Sequence, residues 1–293
     1  MEGVQPASKW FRERQQDDFE IGFRVAKTLF AAESPYQRVE IVQTAGHGAM
    51  LINDGVVMAA ERDEFVYHEM IAHVPLFVHP RAARVLVIGG GDGGTAREVL
   101  KHPEVARVVL VEIDAVVVQA CRRFLPSLSV AFEDPRLELV IADGVAFAAR
   151  TTERFDVVIV DSSDPVGPAE GLFDRTFYGS LARLLRDGGI LVTQAESPFY
   201  DQALQTAMFN AQREFFRRLH LYLYSNLTYP GGLWAFAFAS QGLCPLRDFD
   251  APRFARWPAA MRYYNAGVHR AAFMLPEFVR KRYAAILDPL PSI

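Results

Sequence analysis

The apolar positions along this chain change texture at about residue 63. Before it, Gln37–Thr44, Ala49–Ile52 and Val56–Ala60 are short runs with β-branched content, separated by the turn signals Gly46-His47-Gly48 and Asn53-Asp54-Gly55. Asp-Gly between apolar runs is a hairpin signal, so the pattern predicts a small antiparallel β domain over residues 1–63 and a second unit over 64–293. Residues 64–79 predict a helix, with Phe65, Met70, Ile71, Val74 and Leu76 apolar and Pro75 and Pro80 limiting its end. Arg84–Gly89 is then a near-continuous apolar run, the mark of a strand buried on both faces. Strands are predicted again at Arg107–Ile113, Leu137–Ala142, Phe155–Val160 and Gly189–Gln194. Helices are predicted between them at Thr95–Lys101, Ala115–Phe124, Asp143–Arg150 and Arg175–Leu185. That alternation predicts a doubly wound α/β sheet with right-handed crossovers, of the Rossmann-like, methyltransferase type. The last third predicts a helix near Gln202–Phe216, strands at Leu219–Asn226 and Leu233–Ala239, and a helical, proline-punctuated tail.

Composition narrows the class. At 293 residues, 51% hydrophobic and 23% charged, the chain has ordinary globular usage and length for a sizeable core. Its net charge is −4, so no global basic field is present to hold nucleic acid or an anionic membrane. The two cysteines, Cys121 and Cys244, make neither a disulfide framework nor a zinc site. No run of 18 apolar residues and no apolar leader is visible, and the expectation is a cytoplasmic protein.

The candidate chemistry lies in the loops after the predicted strands. Gly89–Gly94 (GGGDGG) joins a strand to a helix, and glycines such as Gly89 and Gly91 let a ligand approach the backbone at a helix N-terminus. Glu112 ends the next strand, 21 residues after Gly91, with Ile113 beside it. A carboxylate there accepts from both ribose hydroxyls. A nicotinamide dinucleotide fits the same two features. Two others disfavour it: Asp92 puts a negative charge where a pyrophosphate would lie, and Asp143-Gly144 places a third acid where it can accept from an adenine amine. Glu112 with Asp143 is the pattern of S-adenosylmethionine-type sites.

Asp161-Ser162-Ser163-Asp164-Pro165 follows the fourth strand. Asp161 and Asp164 can face one cleft, although an Asx turn before Pro165 uses the same residues. With Asp92, three carboxylates there repel one another and call for a cation, a metal or a polyamine. His68 and His73 are five apart on a helix, about 140° around its axis, and do not chelate, so no metal site is expected. Tyr67 and Tyr229 suit an aliphatic diamine, packing on methylenes and hydrogen-bonding amines, and suit ordinary half-buried packing as well. The phenylalanines Phe215, Phe216, Phe236, Phe238, Phe273 and Phe278 and the thiol of Cys121 read as core.

Six segments, in order and spanning nearly the whole chain, resemble the spermidine synthase (polyamine aminopropyltransferase) family: Glu61–Met70, Val87–Gly94, Val111–Asp114, Asp161–Glu170, Thr228–Gly232 and Tyr263–Pro276. The resemblance implies an N-terminal β domain on a methyltransferase-type core, and a homodimer or homotetramer. It implies transfer of aminopropyl from decarboxylated S-adenosylmethionine, a co-substrate and not a prosthetic group, to putrescine, giving spermidine and 5′-methylthioadenosine. It implies that Gln37, Glu112, Asp143, Gly144 and Pro168 contact the adenosine, and that His68 and Asp92 face the aminopropyl or polyamine chain. Asp161 would take the proton, Asp164 hold the diamine, and Tyr67 and Tyr229 line its channel. Asn53, Met58 and Ala60 depart from the apolar residue, glutamine and threonine common there, which bears on the acceptor: cadaverine, agmatine, spermidine and 1,3-diaminopropane are alternatives to putrescine. An amine N-methyltransferase and a non-catalytic adenosyl-ligand sensor are the rival readings of the same framework, and a sensor has no need of both Asp161 and Asp164.

Overall fold

The structure, a computed structural model, describes residues 9–15, 18–163 and 171–291. Two sheets organise it. The first is a five-stranded antiparallel meander of β1 (Lys9–Gln15), β2 (Phe19–Glu33), β3 (Arg38–Thr44), β4 (Ala49–Asn53) and β5 (Val56–Ala60). Asp54 and Gly55 both sit at positive φ in the β4–β5 turn, the backbone that this hairpin type requires. The long hairpin of β1 and β2 is absent from the hydrophobic pattern. Arg12, Arg14, Arg24 and Lys27 interrupt its apolar positions, and β2 shifts register against β3 at Val25/Lys27 and at Thr28/Phe30, which breaks the alternation.

Helix α1 (Glu64–Val78) leads into the second sheet, and every residue of it except Phe65 is buried. The second sheet contains β6 (Arg84–Gly89), β7 (Arg107–Glu112), β8 (Leu137–Ile141), β9 (Phe155–Asp161), β10 (Leu185–Gln194), β11 (Arg218–Ser225) and β12 (Leu233–Ser240). Its order is β11-β12-β10-β9-β6-β7-β8. The pairs among β6 to β10 are parallel, and β12 inserts antiparallel between β10 and β11. Helices α2 (Gly94–Leu100), α3 (Ala115–Phe124), α5 (Gly144–Arg150) and α6 (Arg175–Leu184) connect these strands, with the short α4 (Pro126–Ser129) after α3. The expected doubly wound α/β fold is therefore present. Helix α7 (Gln202–Arg213) ends three residues before its predicted end, and β10 starts four residues earlier than predicted. The tail carries α8 (Ala251–Ala255), α9 (Ala266–Ala272) and α10 (Glu277–Arg282).

The two sheets meet through side chains. Val39, Ile41, Ala49 and Leu51 pack on Val117, Ala120, Cys121 and Leu125 of α3 and its end. Cys121 is thus a buried hydrophobe, as expected. Phe216, Phe236, Phe238 and Phe273 are core and Phe215 packs against it, but Phe278 is 41% exposed under Arg282, so the core reading of that residue fails. A phenylalanine on a short surface helix is covered by a neighbouring guanidinium instead.

A close backbone approach occurs at the end of β6. Gly89 pairs with Asp161 of β9 and has φ +83°, and a Cβ there would lie 2.0 Å from the Asp161 carbonyl oxygen. Neither the positive φ nor a backbone neighbour yields cheaply. Gly89→Ala is expected to lose about 2–4 kcal/mol of stability, read as a lowered urea midpoint at unchanged slope. A loss below about 1 kcal/mol contradicts this packing.

Candidate active site

In a doubly wound sheet, ligands sit outside the carboxyl ends of the strands where the order reverses. Here the reversal is at β6, which leads to β7 and β8 on one side while β9 and β10 lie on the other. A cavity of about 360 Å³ opens at that edge. The strand order lays its groups in a row: Trp234 on β12, Gln194 on β10, Asp161 on β9, the glycine loop after β6, Glu112 on β7 and Asp143 after β8. Neighbouring strands are about 4.8 Å apart, so Asp161 and Glu112 stand roughly 10 Å from each other across the loop. The first sheet closes the other side with Glu13, Gln37, Leu51, Asn53, Val57 and Met58.

Gln37, Gly89, Gly91, Asp92, Glu112 and Ile113 all line this cavity. So do Asp143, Gly144, Tyr67, His68, Asp161 and Tyr229. Asp164 and Pro168 lie outside the described residues. Asn53 and Met58 face the cavity, whereas Ala60 is buried in the core beneath β4 and does not. The sequence reasoning missed Glu13, Gln194 and Trp234 as lining residues, because only the folded order of the strands brings them there.

Asp161 ends β9. Its Oδ1 accepts the Tyr67 hydroxyl at 2.7 Å, and its Oδ2 is buried with no hydrogen bond among the described residues. Burial and then the charge of Asp92 hold its pKa above the ordinary carboxylate value, against the lowering effects of His68, Thr95 and Tyr67. Tyr67 is pushed well above its ordinary value by burial and by Asp161, so it remains a donor. The rings of Tyr67 and Tyr229 lie 6.1 Å apart and those of Tyr229 and Trp234 5.3 Å apart, an aromatic channel leading to Asp161. The Tyr229 hydroxyl donates to the Met58 carbonyl at 2.7 Å, which ties this channel to the first sheet.

Asp92 accepts the Gly94 N–H at 2.6 Å and lies 3.5 Å from Nε2 of His68. It therefore helps to start α2 and also lines the cavity. The opposite ring nitrogen of His68 is 2.6 Å from Glu64, which Arg97 holds at 2.8 Å. Burial alone disfavours an imidazolium, but Asp92 and then Glu64 outweigh it and push the His68 pKa up to about 10. Part of the cation that the acids require is thus His68 itself. For Asp92, burial is outweighed by His68, the Gly94 N–H and Arg97, so its pKa is lowered. Glu64 was not foreseen; the signal was present as an acid four residues before a histidine on one helix. Among the described residues, no group of three or more His, Cys, Asp or Glu side chains is placed to hold a metal ion.

Glu112 is buried beside Gly91, where a Cβ would lie 2.8 Å from its carboxylate. Its Oε1 accepts the Asp114 N–H at 2.8 Å. Asp143 caps α5 through the N–H groups of Val145 and Ala146 and lines the far end of the cavity.

Residues 64–250 match the Spermine/spermidine synthase domain, and residues 9–61 match the Spermidine synthase tetramerisation domain. The chain belongs to this family. A polyamine aminopropyltransferase of Caldicellulosiruptor saccharolyticus is 46% identical over 272 residues, covering 93% of this chain and 97% of its own length. One from Bacillus subtilis is 43% identical over 270 residues, covering 92% and 97%. A spermidine synthase in complex with the transition state analogue AdoDATO superposes with a TM-score of 0.92 at 38% identity, covering 94% of this chain and 95% of that one. The spermidine synthase from Thermotoga maritima gives 0.91 at 38% identity, covering 95% of each. The expected family and fold class are correct, and the protein is a transferase of the polyamine aminopropyltransferase type. The expected homo-oligomer accords with the match of the first sheet to a tetramerisation domain. Among the described residues, no single helix is long and apolar enough to cross a membrane.

Burial makes Glu112 costly to ionise. Burial first, then the charges of Asp114 and Asp161, raise its pKa from 4.5 to about 7, against hydrogen bonds from the N–H groups of Asp114 and Gly91. Between those values the folded chain binds more protons than the unfolded one, so this group's contribution to stability falls as pH rises through about 4.5 to 7 and is constant above. Glu112→Gln cannot ionise. It is expected to gain on the wild type across that window, by up to roughly 3 kcal/mol above pH 7, in urea unfolding from pH 4 to 8. Parallel pH profiles for the two proteins contradict the assignment.

Proposed function

We propose that this enzyme moves the aminopropyl group of decarboxylated S-adenosylmethionine to putrescine, releasing spermidine and 5′-methylthioadenosine. The observation that carries the reading is Asp161: one oxygen is held by Tyr67, and the other is buried beside an aromatic channel and makes no hydrogen bond among the described residues. In this reading the adenosyl part lies along Gln37, Glu112, Ile113, Asp143 and Gly144, over the backbone of Gly89 and Gly91, with Pro168 as a further contact. The sulfonium then sits over the glycine loop and the amine in the channel of Tyr67 and Tyr229. His68 and Asp92 flank the aminopropyl chain, and Asp164 pairs with the distal ammonium.

The amine nitrogen attacks the aminopropyl carbon bonded to sulfur. The C–S bond breaks, its electron pair neutralises the sulfonium, and the nitrogen's proton passes to Asp161 Oδ2. A sulfonium leaves readily, so positioning and desolvation carry most of the rate. The attacking amine must be neutral although a free alkylamine has a pKa of roughly 10. The raised pKa of Asp161 narrows that gap, and desolvation of the bound amine would disfavour the ammonium. Decarboxylated cofactor ends in a lone ammonium, which suits Asp92, whereas the parent compound adds a carboxylate. Assembly as a dimer or tetramer, and residence in the cytoplasm, belong to the same proposal.

Putrescine is expected to rank first by kcat/KM among putrescine, cadaverine, agmatine, spermidine and 1,3-diaminopropane. A different first amine would move the proposal to that acceptor. Asp161→Asn is nearly isosteric but takes no proton, and kcat at saturating amine should fall by about 10²–10⁴ with the fold intact. Retention of more than about a tenth of wild-type kcat sinks the role of Asp161.

A further inference from the structure

Asp114 is 1% exposed and both of its oxygens are used. Oδ1 accepts the Val116 N–H at 2.9 Å and so caps α3. Oδ2 accepts the Ser34 hydroxyl at 2.7 Å and the side-chain amide of Gln37 at 3.0 Å, both from the turn between β2 and β3 of the other sheet. The backbone N–H of Asp114 donates to Oε1 of Glu112. One residue therefore touches the two cavity groups that stand at the end of β7, one from each sheet.

The chemistry fixes an orientation. A carboxylate accepts, so the amide of Gln37 must turn its nitrogen to Asp114. Gln37 also lines the cavity, and the group left for a ligand there is its carbonyl oxygen. Glu112 Oε1 accepts the Asp114 N–H, and its Oε2 remains open as an acceptor. A ligand that brings two neighbouring hydroxyl donors to this corner can bond to Glu112 with one or both of them, and Gln37 Oε1 adds a separate, neutral acceptor beside it. We propose that Asp114 is a positioning residue that fixes Gln37 as a hydrogen-bond acceptor beside Glu112, so that the site selects an adenosyl ligand with an intact 2′,3′-diol. The proposal rests on the reading that the cavity binds an adenosyl group.

The test is calorimetry with 5′-methylthioadenosine and its 2′-deoxy and 3′-deoxy forms, on wild type and Asp114→Asn. Asn caps a helix as well as Asp does, so its oxygen stays on Val116 and its NH₂ replaces Oδ2. Gln37 must then turn its own oxygen toward residue 114 and show an NH₂ to the cavity. The backbone bond to Glu112 is untouched. Wild type should prefer the full diol over at least one deoxy form by about tenfold or more, the worth of one hydrogen bond to a buried polar group. In Asp114→Asn that preference should shrink at least about fivefold while the affinity for the deoxy form stays within about threefold. An unchanged preference, or equal weakening of all three ligands, overturns the proposal. Asp114→Ser, which still caps α3 but is too short to reach Gln37, should give the same result and decides the matter if the Asn variant does not fold. Failure of wild type to bind any of the three would instead refute the adenosyl reading itself.

Discussion

Three carboxylates, Asp92, Glu112 and Asp161, are withdrawn from water around one cavity, and much of the site exists to make that tolerable. Each is settled differently. Asp92 is met by the His68 imidazolium and the N–H at the start of α2. Asp161 is met by the Tyr67 hydroxyl and, more weakly, by Thr95. Among the described residues Glu112 is met by backbone N–H groups, and its pKa climbs to about 7. A buried acid without a full set of donors is a standing demand for a ligand that supplies them. The unmet demand here has two forms. Hydroxyl donors would satisfy Glu112, and an amine would satisfy Asp161.

Helix α1 is the piece that meets most of these demands. Its burial fixes Tyr67 and His68, and the acids flanking them hold other loops in place. Asp63, just before the helix, accepts the backbone N–H and the hydroxyl of Thr228, and so places the turn that carries Tyr229. Glu69 accepts the N–H groups of Arg262, Tyr263 and Tyr264 at 2.8 Å each, tying the tail to the same helix. The first sheet then closes the cavity through Gln37, Met58 and Glu13. The cavity is lined by segments separated by more than two hundred residues, several of them pinned by buried acids, Glu13, Asp63 and Asp114, that accept backbone, hydroxyl or amide protons.

Much of this was readable in the sequence, for a physical reason. Strands buried on both faces are continuous apolar runs, and the residues at their carboxyl ends are where a doubly wound sheet puts its ligands, so Gly89–Gly94, Glu112, Asp143 and Asp161 could be found by position alone. What the sequence hid depends on long-range pairing. The β1–β2 hairpin is masked by arginines and by two register shifts. Trp234 reaches the site only because β12 runs antiparallel, which brings its first residues to the carboxyl edge of the sheet. The charge on His68 was missed because it comes from Glu64 and Asp92 together, and only the fold sets both carboxylates against one ring.

The central claim is that the cavity delivers an aminopropyl group, and not a methyl group, to a diamine. It is tested most directly by one incubation containing equal amounts of S-adenosylmethionine and its decarboxylated form with putrescine, followed by mass spectrometry of the amine and nucleoside products. The account predicts spermidine and 5′-methylthioadenosine in equal amounts, with the parent cofactor unconsumed. N-methylputrescine with S-adenosylhomocysteine, or no product from either cofactor, would contradict it.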